Sequence, residues 1–152
     1  MTASTSPRWT LRVTATGDRS ARVVSRTQQF IVTRPLSFDV AQEGLSALEY
    51  ALGALGAELV TGLREVARRR RVTLDNVEVI VTGTLENALA YLEVIGESGG
   101  STLSQVALRL YVESPESEES VRAVCRDAID LLPLIRTFRT HVRLDVEIVT
   151  TS

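Results

Sequence analysis

Glu58 is the residue of this chain best placed to do chemistry, because it is an acid set deep in an apolar run. The run is Gly44 to Arg71, GLSALEYALGALGAELVTGLREVARRRR, in which Leu45, Leu48, Leu52, Leu55, Leu59, Leu63 and Val66 recur at spacings of three and four. A carboxylate there can accept hydrogen bonds or pair with a guanidinium. A second acid, Glu49, stands nine residues earlier. At about 100° per residue, that spacing sets the two carboxylates on opposite faces of a helix. Glu49 therefore reads as a first-turn acid that favours the helix dipole. The other reactive side chains are single. Cys125 is the one cysteine, so no intramolecular disulfide can form. His141 is the one histidine, on the flank of an expected strand, and with no cysteine cluster beside it no metal site is expected. No P-loop, dinucleotide fingerprint or nucleophile elbow occurs, and no cofactor is expected. All 17 basic residues are arginine, which excludes a Schiff-base lysine.

The elements that must position Glu58 follow from the same pattern. The leucines make one stripe of a long helix. Ala47, Ala51, Gly53, Ala54, Gly56 and Ala57 leave its other faces small. A helix apolar nearly all round belongs in a core. Glycine inside a helix costs about 1 kcal/mol against alanine, so Gly53 and Gly56 predict close packing. Ser46 is the expected N-cap. The Arg68–Arg71 run suits the negative end of the dipole and a solvated terminus. A nucleic-acid patch is the less favoured reading, since no second basic cluster or interleaved aromatic supports it.

Residues 1–8 read as a mobile tail and 9–152 as a single domain. Alternation predicts a half-buried strand from Trp9 to Thr16, short strands over Ala21–Ser25 and Gln29–Thr33, a stop at Pro35 and a loop over 36–43. Val77, Val79 and Val81 mark another strand, and Leu103–Glu113 a long one. Residues 86–95 form a short helix or an irregular excursion. Ser114 and Pro115 read as the start of a second long helix, with Val121, Val124, Cys125, Ala128, Leu131 and Leu132 on its buried face and Pro133 as its interruption or kink. His141–Val149 reads as the last strand. The order β-β-β-α-β-β-α-β lacks strict alternation and points to an α+β fold. The net charge of −2, the absence of an apolar leader and the acids inside the most apolar helix predict a cytoplasmic protein with neither nucleic acid nor membrane as partner.

Ser46 to Ala57 resembles the central-helix signature of the OsmC-like family (osmotically inducible protein C and organic hydroperoxide resistance proteins), approximately S-P-x-E-L-L-L-A-A-L-G-A-C. Leu132-Pro133-Leu134-Ile135-Arg136-Thr137-Phe138 is similar to the family's C-P-V-x-x-T-L segment, and Thr16-Gly17-Asp18-Arg19 to its G-G-R turn. The resemblance spans residues 9–149. It implies an intertwined homodimer with a two-helix core covered by antiparallel sheets. It also implies reduction of hydroperoxides by a peroxidatic thiolate and a resolving cysteine, assisted by an arginine and a glutamate.

The sequence departs from that pattern at both sulfurs. Glu58 stands where the resemblance sets the peroxidatic cysteine, and Leu132 where it sets the resolving one. Neither can form a sulfenic acid or a disulfide. The position ten residues before Glu58, where the peroxidase branches carry a glutamate, holds Leu48. Cys125 lies seven residues before the resolving position, on an apolar stripe where a free cysteine is usually a small buried hydrophobe. The expectation is a homodimer without thiol peroxidase activity that binds a small, partly apolar ligand at its interface. Arg19, Leu48 and Glu58 are its candidate ligand contacts, with Arg19 pairing Glu58. Two alternatives stay open: an active hydroperoxide reductase using Cys125 or another route, and a purely structural or interaction protein.

Overall fold

The computed structural model describes residues 6–33 and 43–152. The stop at Pro35, nearly all of the expected loop over 36–43 and residues 1–5 of the expected tail lie outside the described residues. The chain divides into two compact units, Met1–Ala51 and Leu52–Ser152.

The first unit is an antiparallel meander of β1 (Arg12–Thr16), β2 (Ser20–Ser25) and β3 (Gln28–Val32). Its turns are short: Gly17, at φ +69°, opens the β1–β2 turn, and Arg26, at φ 54°, opens the β2–β3 turn. The expected strand from Trp9 begins only at Arg12. Trp9 is 73% exposed, and Leu11 and Val13 are exposed too, so the alternation there marks a strand that nothing within its own unit covers. Val23 on β2 is the buried apolar residue of the meander.

The long helix α1 (Ala47–Arg70) starts where Ser46 was expected to cap it, and the cap is reciprocal. The Glu49 backbone N–H donates to Ser46 Oγ at 3.3 Å, while the Ser46 N–H and Oγ–H both donate to Glu49 Oε2 at 2.7 and 2.8 Å. This S-x-x-E capping box satisfies helix-end donors from both sides. It holds the Glu49 carboxyl below the usual carboxylate range, chiefly through the Ser46 backbone donor and then through its hydroxyl. Tyr50, one turn in, lies against Phe30 of β3 with ring centroids 4.8 Å apart. Ser46→Ala is expected to cost about 1 kcal/mol, read as a lower urea midpoint with an unchanged slope. Because the Glu49 pKa is lowered on folding, the stabilisation it brings is present above its unfolded value and is lost as the pH falls through the folded one.

The second unit carries the main core. β4 (Asn76–Leu85), β5 (Leu103–Glu113) and β6 (Arg143–Thr151) form one sheet in the order β4-β5-β6. Between them lie the short α2 (Ala88–Tyr91), then α3 (Glu118–Leu131) and α4 (Pro133–His141). Strict alternation on β5 sends Val106, Leu108, Leu110 and Val112 to the helical face. There they join Leu55, Leu59 and Leu63 of α1, Val121, Val124, Cys125 and Ala128 of α3, and Ile135 of α4. The opposite face carries polar pairs across strands, with Arg109 donating to Glu147 at 2.7 Å and Gln105 to Asp145 at 2.8 Å, beside apolar residues that include Ile80 and Val149.

Several expectations need correction. The sheet is mixed: β4 and β5 are antiparallel, but β5 and β6 run parallel. The reason is that α3 and α4 carry the chain back across the sheet before β6 begins, as a parallel pair requires. The second long helix begins one turn later than Ser114, at Glu118, with Ser117 as N-cap. Ser114 is buried and donates instead to the Thr73 carbonyl, while its oxygen accepts from the Glu116 N–H. Pro133 does not kink one helix but begins another, because a missing N–H costs nothing at the first helical position. His141 ends α4 and is exposed, and the last strand starts two residues after it. Leu131 is 55% exposed and Ile129 takes the buried place expected of it, because the last turn of α3 presents Leu131 to solvent.

Of the two glycines expected to be packing sites, Gly56 is one: a Cβ there would sit 2.7 Å from Val81. At Gly53 a Cβ would meet nothing. The Arg68–Arg71 run is largely paired. Arg68 and Arg69 bond Glu65 at 2.8 and 2.9 Å, and Arg70 bonds Asp127 of α3. These are exposed pairs of small individual worth. They nonetheless engage three of the four cations, two within α1 and one across to α3.

Candidate functional site

Glu58 sits on α1 three residues past the buried Leu55 and one before the buried Leu59, so its carboxylate emerges from the flank of the core. There it meets the start of α4. The Glu58 Oε2 atom accepts the backbone N–H of Leu134 at 2.9 Å and of Ile135 at 3.4 Å. Both acceptances follow from what the start of α4 lacks. An α-helix opens with N–H groups that have no intrahelical partner. Here Pro133 has none to offer, and Arg136 already donates to the Leu132 carbonyl at 3.0 Å. Only the N–H groups of Leu134 and Ile135 remain. The N-cap position is Leu132, whose side chain cannot accept a hydrogen bond. The missing cap is supplied from 76 residues away, by Glu58. A carboxylate is also the right charge for the positive end of a helix dipole.

Leu132 has a packing role. It closes α3 and opens α4, is 8% exposed, and presses on Gly62 of α1, one turn beyond Glu58. A Cβ at Gly62 would overlap both Leu132 methyls. The two positions at which the resemblance sets sulfurs are thus filled by a helix cap and by a leucine seated on a glycine. Gly62 was not singled out from the sequence.

Cys125 is fully buried among the core residues of α3. Burial pushes its thiol up to about 11, against the opposing pull of the Arg122 and Arg126 guanidinia. Thiolates, not thiols, attack peroxides and alkylating agents. Native protein at pH 8 is therefore expected to react with a thiol-specific disulfide reagent only as fast as it opens. The measured rate should rise steeply through the urea unfolding transition, and a fast native reaction would contradict this burial.

The other candidate contacts belong to the first unit. Arg19 lies in the β1–β2 turn and is exposed, and Leu48 is half-buried in the first turn of α1. Glu49 is engaged by Ser46, as described above. Among the described residues no group of three or more His, Cys, Asp or Glu side chains could hold a metal ion.

A sequence model of the family described as OsmC-like protein matches residues 40–147. Solved structures resemble the chain over nearly its whole length. An OsmC-like protein from Mycoplasma pneumoniae is 18% identical, with 97% of this chain and 100% of that one covered at a TM-score of 0.81. An organic hydroperoxide resistance protein OsmC from Legionella pneumophila is 16% identical, with 94% and 98% covered and a TM-score of 0.69. The organic hydroperoxide resistance protein OhrB of Bacillus subtilis is 19% identical, with 93% and 98% covered and a TM-score of 0.64. At these identities the likeness is one of fold. No curated protein sequence matches the chain.

Proposed function

The chain belongs to the OsmC-like protein family, and from that footing we propose that it is a homodimeric member without thiol peroxidase activity, one that binds a small, partly apolar ligand. Glu58, Arg19 and Leu48 are the ligand contacts of this reading, with residues 9–152 acting as one domain in the cytoplasm. Two of the solved relatives are named organic hydroperoxide resistance proteins, which sets a hydroperoxide-linked stress role as the family context.

One observation carries the proposal. Where the sequence resemblance sets the family nucleophile, Glu58 commits its carboxylate to the α4 backbone, while the chain's one thiol is sealed in the core. Peroxidatic chemistry needs an accessible thiolate and a partner to resolve the sulfenic acid, and one buried cysteine supplies neither. The homodimer is supported by the exposed face of α1, where Gly53, Ala54, Ala57 and Thr61 offer small side chains that another helix can approach closely. Among the described residues no helix is long and apolar enough to cross a membrane.

The test is consumption of an organic hydroperoxide with a dithiol reductant. The expected result is no turnover above the reductant-only rate, by the parent and by Cys125→Ser alike. Robust turnover that Cys125→Ser abolishes would overturn the proposal.

A further inference from the structure

A wide-mouthed, solvent-open cleft of about 480 Å³ lies beside α4 and is lined by the exposed side chains of Asp130, Arg136, Arg139 and Thr140. Its volume lies in the range of small-ligand sites, but its lining is unlike the usual one: every residue is polar. An apolar ligand would gain nothing there. The charges are arranged with some order. Arg139 Nη1 donates to Asp130 Oδ1 at 3.2 Å, which ties the end of α3 to α4 and limits where that guanidinium can turn. Arg136, one turn before Thr140, is exposed and has no hydrogen-bond or ion-pair partner for its side chain among the described residues. The Thr140 hydroxyl donates to the Arg136 carbonyl at 3.0 Å, so what it offers the cleft is an acceptor.

A free guanidinium and a partly engaged one, three residues apart on one helix, present forks of N–H donors that match the oxygens of a phosphate group. Phosphate alone would leave most of the cleft empty and would face Asp130 Oδ2, the carboxylate oxygen that Arg139 does not engage, with no donor to offer it. Asp130 and Thr140 instead call for hydroxyl donors on the same ligand. From the pairing of two arginines with two acceptors in one polar cleft, we infer that this cleft binds a phosphate monoester of a polyhydroxylated molecule. The phosphate lies on Arg136 and Arg139, and the hydroxyls donate to Asp130 and Thr140. This inference is independent of the ligand proposed for Glu58.

Titration of ¹⁵N-labelled full-length protein with glucose 6-phosphate, inorganic phosphate and glucose tests it. Glucose 6-phosphate is expected to give saturable amide shifts confined to the end of α3 and to α4, with affinity about tenfold above that of either fragment, the gain from one added charge-assisted contact. Arg136→Gln is expected to weaken binding of the ester about tenfold and leave the melting temperature unchanged, because that side chain is exposed and supports nothing in the fold. Equal affinity for inorganic phosphate and the ester would overturn the inference, since it reduces the cleft to general attraction of anions. So would an Arg136→Gln variant that binds the ester as the parent does, or shifts that fail to saturate.

Discussion

Glu58→Ala is expected to lower the unfolding free energy by about 2 kcal/mol, because it leaves two helix-end donors without an acceptor. For a chain of this length that is a fall in melting temperature of about 4–8 °C. The reasoning is a full count of the α4 N-terminus. Pro133 has no donor, Arg136 donates to Leu132, and the Leu134 and Ile135 N–H groups both go to Glu58 Oε2. Nothing local can replace that oxygen, since the N-cap residue is Leu132. Two further variants separate capping from packing. Glu58→Gln keeps an acceptor and loses the charge, and is expected to cost about half as much. Glu58→Leu fills the space and accepts nothing, and is expected to cost at least as much as alanine. If Gln and Ala melt alike, or if Ala melts like the parent, the carboxylate is not the cap.

The second large effect is at Gly62. Glycine in mid-helix is unfavourable by about 1 kcal/mol, so almost any replacement on an open helix face would stabilise. Here Gly62→Val is expected to destabilise by about 2 kcal/mol, because added carbons meet the Leu132 methyls in a well-packed region. Leu132 cannot swing aside freely: it is nearly buried and fixed between the end of α3 and the start of α4. A double-mutant cycle with Leu132→Ala measures the contact. Leu132→Ala alone opens a cavity at a cost of about 2–5 kcal/mol, and the valine methyls introduced by Gly62→Val would refill part of it. The double variant is expected to be more stable than the sum of the single losses by at least about 1 kcal/mol. Additive losses would mean that the two side chains do not compete for the same space.

Both effects bear on function through geometry. The cap and the leucine contact join α1 to the α3–α4 junction at neighbouring turns, the place where the family resemblance sets its two sulfurs. In this chain those turns hold a carboxylate cap and an apolar plug. Conversion of Glu58 to cysteine alone would therefore remove the cap without supplying a resolving thiol, and would leave Leu132 where the second sulfur is needed.

Much of the fold was legible because its signals are local. The stripe from Leu48 to Val66 marks α1, although Leu45, also counted in it, lies before the helix and is exposed; the alternation of Val106, Leu108, Leu110 and Val112 marks β5. Ser46 announced its helix. Its partnership with Glu49 was written in the S-x-x-E spacing, although Glu49 was read as a dipole acid alone. The parallel pairing of β6 was not legible, because strand direction depends on the path of the α3–α4 crossover and not on the alternation within either strand. The break at Pro133 was legible, but whether it kinks one helix or starts another was not. A proline in an apolar helical pattern signals a kink or a new start equally well, and the choice rests on whether the freed N–H groups of the following turn find an acceptor.

Sequence by itself determined the α+β class through the order of its elements, the family through the resemblance of Ser46–Ala57 and Leu132–Phe138, the long helix through its periodicity, and the oddity of an acid at residue 58, since each of these signals is read along the chain. Tertiary structure alone decided what that acid does. Its partners lie 76 and 77 residues away and are backbone groups, which leave no mark in side-chain identity. The same holds for Gly62, whose need for a missing Cβ comes from a leucine on another helix.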